Sequence, residues 1–159
     1  MSERVRPARF PWPQMVALST GVIFFLLGLG GFAVTGFTDF FRHDPVIDAL
    51  GFTVNPMHNL IHFVLGIVGG ICASGLRATM AYGWVLIVGY GAVLVYGLFV
   101  TGDPAHDLLN LNWADNVLHL AAVGVGVLIA IGAVKVARAD GWVVPRPGAP
   151  TPGQSANQG

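Results

Sequence analysis

Long apolar stretches alternate along the chain with shorter segments that hold most of the charged residues and prolines. Four of these stretches reach the roughly 20 residues that an α-helix needs to cross the hydrocarbon layer of a membrane. They predict transmembrane helices over residues 15–36, 57–76, 79–101 and 114–136. The frequent glycines and the lack of alternation between polar and apolar positions favour helices over the strands of a barrel. The expected fold is an all-α integral membrane protein.

The amino-acid composition also indicates an integral membrane protein. Hydrophobic residues make up 54% of the 159 residues and charged residues 10%, whereas soluble domains carry about 25% charge. The length predicts a cytoplasmic N-terminal segment over residues 1–14, a four-helix transmembrane domain over 15–137, and a tail over 138–159. Because the tail is rich in Pro, Gly and small polar residues, we expect it to be disordered.

The placement of charge predicts the orientation of the chain in the membrane. Basic residues cluster before the first span, between the second and third, and after the fourth: Arg4, Arg6, Arg9, Arg77, Lys135, Arg138 and Arg146. The other two connections hold six aspartates against the single basic residue Arg42. The excess of Lys and Arg on the cytoplasmic side predicts that both termini are cytoplasmic. The net charge of zero gives no support for binding to nucleic acid.

Two segments of the chain resemble two others. GFAVTG at residues 31–36 resembles GLFVTG at residues 97–102, and NPMHNLIHFVLGIVGG from Asn55 resembles NWADNVLHLAAVGVGV from Asn112. A unit of two helices is therefore predicted to be duplicated in tandem. Since each copy starts on the cytoplasmic side, we expect an approximate two-fold axis along the membrane normal.

The polar residues of the repeated block are the candidate functional residues. The pattern N-x-x-[H/D]-N-x-x-H occurs at the predicted outer ends of the second and fourth spans, and its members are Asn55, His58, Asn59 and His62, then Asn112, Asp115, Asn116 and His119. Residues four apart share one face of a helix. Ionisable groups inside a span are costly unless they face the interior of the helix assembly, which makes them candidates for a function.

Three interpretations of these residues stay open. In the first, Asn55, Asn59, Asn112 and Asn116 are structural polar residues that cap helices or bond neighbouring helices, and the histidines also form interhelical hydrogen bonds. In the second, His62 and His119 are axial ligands of haem b, or His58, His62, Asp115 and His119 bind a divalent metal ion. In the third, the same side chains begin a proton or cation path, which is weakened because the inner half of the spans offers mainly aliphatic residues.

Catalytic motifs are lacking. The sequence contains no GxSxG, no GxxxxGK[ST] and no HExxH motif, and its one cysteine, Cys72, excludes an intramolecular disulfide or a CxxC site. The sequence therefore favours a non-enzymatic protein.

The block NPMHNLIHFVLGIVGG closely resembles a bacterial family of small four-helix membrane proteins, domain of unknown function 4383, and the resemblance extends from Pro11 to about Ala137. It implies a bacterial plasma-membrane location but no particular activity or cofactor. We therefore expect a structural or accessory membrane component whose partners are lipid and other membrane proteins or further copies of itself. The alternative is a haem-binding or metal-binding membrane protein with its site near the outer face.

Overall fold

The computed structural model of the protein describes residues 10–44 and 48–139 and consists mainly of four helices. These are α1 (Trp12–Thr35), α2 (Pro56–Cys72), α3 (Leu76–Val100) and α4 (Trp113–Ala139). Two short strands, β1 (Asp48–Ala49) and β2 (Phe52–Thr53), form an antiparallel pair between α1 and α2. Most of the predicted N-terminal segment and nearly all of the predicted disordered tail lie outside the described residues.

The ends of the helices follow from local sequence. Pro56 occupies the first turn of α2, where the missing N–H of proline leaves no hydrogen bond unmade. Gly36 follows α1 with a φ of 71°, a backbone conformation that glycine adopts without strain. The second helix ends at Cys72, four residues before the end expected from hydropathy, because α3 already begins at Leu76 after a tight turn. In that turn the Thr79 hydroxyl donates to the Cys72 carbonyl at 3.0 Å.

Helix α2 is shorter than the other three helices. Helices α1, α3 and α4 have 24, 25 and 27 residues and are long and apolar enough to cross a membrane. Helix α2 is apolar but has 17 residues, which is at the lower limit for a span. The described residues therefore hold three helices with the length and composition of a transmembrane segment.

Glycines allow the helices to approach each other closely. A Cβ atom at Gly28 of α1 would lie 2.5 Å from the Phe63 nitrogen of α2, and one at Gly83 of α3 would lie 2.8 Å from the Gly126 carbonyl oxygen of α4. Helix α1 therefore packs backbone to backbone on α2, and α3 does so on α4. Close approach through small residues is the usual mode of helix association in membranes.

The interior between the four helices is filled by aromatic and aliphatic side chains. Its fully buried members include Phe24, Tyr82, Leu86, Tyr90 and Ile129. Large apolar side chains also cover the outer faces of the helices, among them Ile71 and Val88, which are 67% and 66% exposed. An apolar outer surface of this kind is suited to contact with lipid rather than with water.

The two long connections, between α1 and α2 and between α3 and α4, lie against each other at one end of the helices, which we call the long-loop end. The Asn110 side chain joins them, because its Nδ2 donates to the Asp44 and Val54 carbonyl oxygens at 2.9 and 3.1 Å. The described residues of these connections form turns and the β1–β2 pair. The opposite end, at the α2–α3 turn, is the short-turn end.

Asp107 organises the α3–α4 connection from a buried position. Its carboxylate oxygens accept hydrogen bonds from the backbone N–H groups of Leu109 and Leu111, at 3.1 and 2.6 Å. Nearby, Asp103 is exposed and its carboxylate pairs with the His106 ring at 2.8 Å, which lowers the pKa of the Asp103 carboxyl. The two aspartates differ in burial although they lie on one loop.

The substitution Asp107→Ala should destabilise the long-loop end. Two buried N–H groups would lose their acceptor, at a cost of about 1–3 kcal/mol for each group left without a partner. Unfolding of the detergent-solubilised protein, followed by circular dichroism, measures the change. Asp103→Ala is the matched control, because exposed pairs contribute about 0–1 kcal/mol. Equal stability of the two variants would contradict this role of Asp107.

Candidate functional site: a buried histidine cluster

Two asparagines start the helices that carry the cluster. Asn55 caps α2, because its Oδ1 accepts a hydrogen bond from the His58 backbone N–H at 2.9 Å. At the start of α4 the Asn112 Oδ1 accepts from the Asp115 N–H at 3.0 Å, while the Asp115 Oδ2 accepts from the Asn112 N–H at 2.8 Å. The second arrangement is a reciprocal capping box. Both caps fix the first turn of a helix and hence the direction of the side chains that follow.

The other two asparagines of the repeated block bond neighbouring helices. Asn59 Nδ2 donates to the Thr35 hydroxyl of α1 at 2.9 Å, and Asn116 Nδ2 donates to the Thr101 hydroxyl at the end of α3, also at 2.9 Å. Each carboxamide lies against a glycine, Gly31 in one case and Gly97 in the other, where a Cβ atom would overlap the asparagine. These asparagines therefore bond the paired helices together.

Three histidines converge beyond these caps. His58 and His62 come from α2 and His119 from α4, and one ring nitrogen of each lies within 4.8 Å of those of the other two. The ring centroids are 4.5 Å apart for His58 and His62, 5.7 Å for His58 and His119, and 6.4 Å for His62 and His119. All three are buried, with exposed fractions of 1%, 4% and 1%. We call these three residues the histidine cluster.

Most ring nitrogens of the histidine cluster have no hydrogen-bond partner among the described residues. Within the described part of the chain, both ring nitrogens of His58, both of His119 and Nε2 of His62 make no hydrogen bond. The backbones of Thr53 and Leu109 lie near the His58 ring but outside hydrogen-bonding geometry. Buried polar atoms are normally paired, and each unpaired one calls for an explanation such as a bound ion or water. Among the described residues, these five ring nitrogens do not form the interhelical hydrogen bonds expected of structural histidines.

Asp115, the fourth member of the predicted metal set, lies outside this group of close ligand atoms. One of its oxygens is used in the cap of α4. Asp115 and His62 nevertheless line a common small cavity of about 20 Å³, otherwise walled mainly by apolar residues. A cavity of that size holds about one water molecule.

Two tyrosines that the sequence did not single out also face the interior. The Tyr90 ring lies against His119 with a centroid distance of 5.2 Å, and against His62 at 6.2 Å. Phe24 lies in the same way against His62, at 5.3 Å, and stacks on Tyr90 at 5.0 Å. The hydroxyls of Tyr90 and Tyr82 are buried and have no hydrogen-bond partner among the described residues. In the sequence, Tyr82, Leu86 and Tyr90 follow each other at intervals of four residues. This spacing indicates that the three side chains share one face of α3.

The arrangement suits a metal ion better than a haem. A flat macrocycle between His62 and His119 would have to occupy the space of the His58 ring, whose centroid is only 4.5 and 5.7 Å from theirs. Metal–imidazole bonds measure about 2.0–2.1 Å, so nitrogens bound to one zinc ion in a tetrahedral arrangement lie about 3.3–3.4 Å apart. The ring nitrogens lie within 4.8 Å of one another, and rotation of the side chains would have to bring them to that distance. Neutral imidazoles bind zinc, copper, iron and nickel ions.

The fold and the site define a mainly helical membrane protein with a polar cluster buried between its helices. The chain belongs to the family described as Domain of unknown function (DUF4383), whose model matches residues 14–143. Comparisons with curated proteins and with solved structures gave no match.

Proposed function

We propose that the protein is a four-span protein of the bacterial plasma membrane that binds a transition-metal ion at His58, His62 and His119. The observation that carries the metal proposal is the convergence of three buried imidazoles, from two helices, each of which has at least one ring nitrogen without a partner among the described residues. A cation bound there would satisfy one nitrogen of each ring. Such a site resembles the three-histidine sites of zinc proteins, which keep one position open.

In this proposal, helix α2 is the fourth transmembrane span. Its 17 residues are at the short end of the range for a membrane helix, and its outward side chains Leu60, Val64, Ile67 and Ile71 are all apolar and exposed. A short span is accommodated by local thinning of the bilayer or by polar groups that reach the interface. The aspartate-rich long-loop end is then external, and both termini are cytoplasmic, as the Lys and Arg distribution favours.

Labelling of single cysteines tests this topology. In a Cys72→Ala background, a membrane-impermeant maleimide added to intact cells should label His106→Cys on the α3–α4 connection. The same reagent should label Ser2→Cys only after the membrane is permeabilised. Labelling of Ser2→Cys in intact cells would contradict the cytoplasmic placement of the N-terminus.

We also propose that the chain arose by duplication of one two-helix unit. Several contacts recur at equivalent positions: the Asn59–Thr35 and Asn116–Thr101 hydrogen bonds have the same length, and Phe24 packs on His62 as Tyr90 packs on His119. The equivalent pairs Phe24 with Tyr90 and His62 with His119 also contact each other. These contacts support an approximate two-fold axis that passes between the histidines.

Duplication predicts equal energetic roles for the two asparagine–threonine bonds. Thr35→Val and Thr101→Val each remove one interhelical hydrogen bond and keep the shape of the side chain. We expect each to lower stability by about 0.6 kcal/mol, the mean for such bonds in membrane proteins. Unfolding in mixed detergent micelles compares the two variants side by side. A cost confined to one of them would argue against equivalent units.

A structural or accessory role in the membrane is the second candidate function. The observation that favours it is the apolar outer surface, with Trp84 and Val88 of α3 both more than half exposed, which could contact lipid, other membrane proteins or a second copy of the chain. Elemental analysis of protein purified in mild detergent separates the two candidates. About one equivalent of metal per chain supports the metal site, and a folded protein that binds none after incubation with zinc, copper, iron and nickel ions supports the accessory role.

A further inference from the structure

The turn between β1 and β2 holds a leucine in a backbone conformation that disfavours one. Leu50 and Gly51, the two central residues of the turn, have φ angles of 60° and 92°. Two successive positive φ angles are typical of a type I′ hairpin turn, in which asparagine followed by glycine is preferred. The left-handed conformation costs a leucine free energy, and the Leu50 side chain is 91% exposed. Neither the backbone nor burial within the protein therefore accounts for a leucine at residue 50.

This turn lies beside the start of α4. Asn112 Nδ2 donates a hydrogen bond to the Gly51 carbonyl oxygen at 2.9 Å. The next residue, Trp113, is the first of α4 and is 64% exposed. Two large apolar side chains are thus exposed at one corner of the long-loop end. We call Leu50 and Trp113 the apolar corner.

Trp113 begins a row of exposed apolar side chains along α4. The members of the row are half exposed or more and follow one another at helical spacing: Trp113, Val117, Leu120, Leu128 and Ile131. Because α4 is long and apolar enough to cross a membrane, this row is suited to contact with lipid. The apolar corner therefore continues a lipid-facing surface beyond the end of the helix.

The length of α4 indicates the depth of the apolar corner in the membrane. Lys135 is the first basic residue of α4, and a lysine near a helix end extends its ammonium group to the membrane interface. Residues 113 and 135 are about 33 Å apart at the helical rise of about 1.5 Å per residue, and the hydrocarbon layer is about 30 Å thick. Trp113 then lies at the opposite boundary of this layer, where indole rings are preferred. The hydrogen bond to Asn112 holds the turn near the same level.

The strand that follows the turn faces the interior. Phe52 lines the small cavity that also contains His62 and Asp115, and Val54 is 6% exposed. Between them, the Thr53 hydroxyl donates to the Asn110 carbonyl oxygen at 2.7 Å, and the Thr53 backbone lies near the His58 ring. The β1–β2 hairpin therefore covers the histidine cluster at the long-loop end, with its turn directed away from the protein.

We propose that the apolar corner inserts into the membrane leaflet at the long-loop end and anchors the β1–β2 hairpin to the bilayer. Leucine and tryptophan are the residue types that enter the boundary between headgroups and acyl chains. Transfer of the exposed Leu50 side chain from water to this boundary is favourable and offsets the strain of its backbone. The anchor keeps the hairpin in place over the histidine cluster. It requires that α4 spans the membrane and does not depend on a bound metal.

The depth of a spin label tests the insertion directly. The full-length Leu50→Cys variant in a Cys72→Ala background is labelled with a nitroxide and reconstituted into vesicles of phosphatidylcholine and phosphatidylglycerol. Oxygen, which is apolar, concentrates in the bilayer, whereas a nickel chelate present on both sides stays in water. The matched control is His106→Cys on the α3–α4 connection, where the side chain is 75% exposed. We expect the ratio of oxygen to nickel collisions to be several-fold higher at residue 50 than at residue 106.

Two results of this measurement would overturn the proposal. Equal collision ratios at residues 50 and 106 would place the turn in water. A label at residue 50 that is shielded from both oxygen and nickel would show that protein, such as a second copy of the chain, covers the turn instead of lipid.

The substitution Leu50→Asn separates membrane anchoring from the geometry of the turn. Asparagine adopts a positive φ more readily than leucine, so the turn alone predicts slower hydrogen exchange of the β1 and β2 amides. Loss of the anchor predicts the opposite, and we expect several-fold faster exchange of these amides in vesicles. Slower or unchanged exchange in Leu50→Asn would contradict an anchoring role for Leu50.

Discussion

His62→Ala and His119→Ala should each weaken metal binding by at least about 100-fold, because even the loss of a residue that only supports a ligand costs 10–100-fold. Each variant leaves two imidazoles, which cannot fill the coordination sphere of a buried ion. The caps of α2 and α4 at Asn55 and Asn112 do not involve these side chains, so the helices should persist. Competition with a chromogenic chelator measures the affinity, and circular dichroism verifies the helical content.

The chain provides a matched control for these variants. His106 lies on the α3–α4 connection with a side chain that is 75% exposed and pairs with Asp103. His106→Ala removes an imidazole of the same chemistry from the surface, and the affinity for metal should stay at the wild-type value. Equal losses in His106→Ala and His62→Ala would locate the bound metal outside the histidine cluster.

Gly28→Ala should disrupt the packing of α1 on α2. The added methyl group would lie 2.5 Å from the Phe63 nitrogen and 2.6 Å from the Asn59 carbonyl oxygen, and both are backbone atoms that cannot rotate away. Separation of the helices would also stretch the Asn59–Thr35 hydrogen bond. Overpacking of this kind costs about 1–3 kcal/mol, measured as a shift of the unfolding midpoint in mixed micelles.

Gly30→Ala tests whether the effect of Gly28→Ala arises from packing. A Cβ atom at Gly30 would meet nothing within 4 Å, and alanine forms helices more readily than glycine by about 1 kcal/mol. Gly30→Ala should therefore be neutral or slightly stabilising. If both substitutions had the same effect, the close contact between α1 and α2 would be contradicted.

The sequence was sufficient to predict the helices because apolar stretches of membrane length leave few other structures possible. It also predicted which histidines would share a face, since His58 and His62 are four residues apart. Helix α2 is shorter than expected, because hydropathy does not register the turn between Cys72 and Leu76. The β1–β2 pair was not predicted either, since its turn contains Leu50 with a φ of 60°, which is unusual for leucine.

The interior tyrosines show a further limit of sequence analysis. In a span that is apolar on all sides, an aromatic residue has the same pattern whether it faces lipid or the interior. The direction of Tyr82 and Tyr90 depends on how α3 packs against its neighbours. Asp115 was ambiguous for a different reason, because an acidic residue three positions after an asparagine fits both a capping box and a metal ligand.

X-ray absorption spectroscopy of the zinc-loaded protein tests the central claim most directly. The three histidines predict a first shell with three imidazole nitrogens at about 2.0–2.1 Å, together with the outer-ring scattering that imidazole gives. His62→Ala should reduce the imidazole contribution or abolish loading altogether. A first shell of oxygen atoms alone in the wild-type protein would contradict a metal site at His58, His62 and His119.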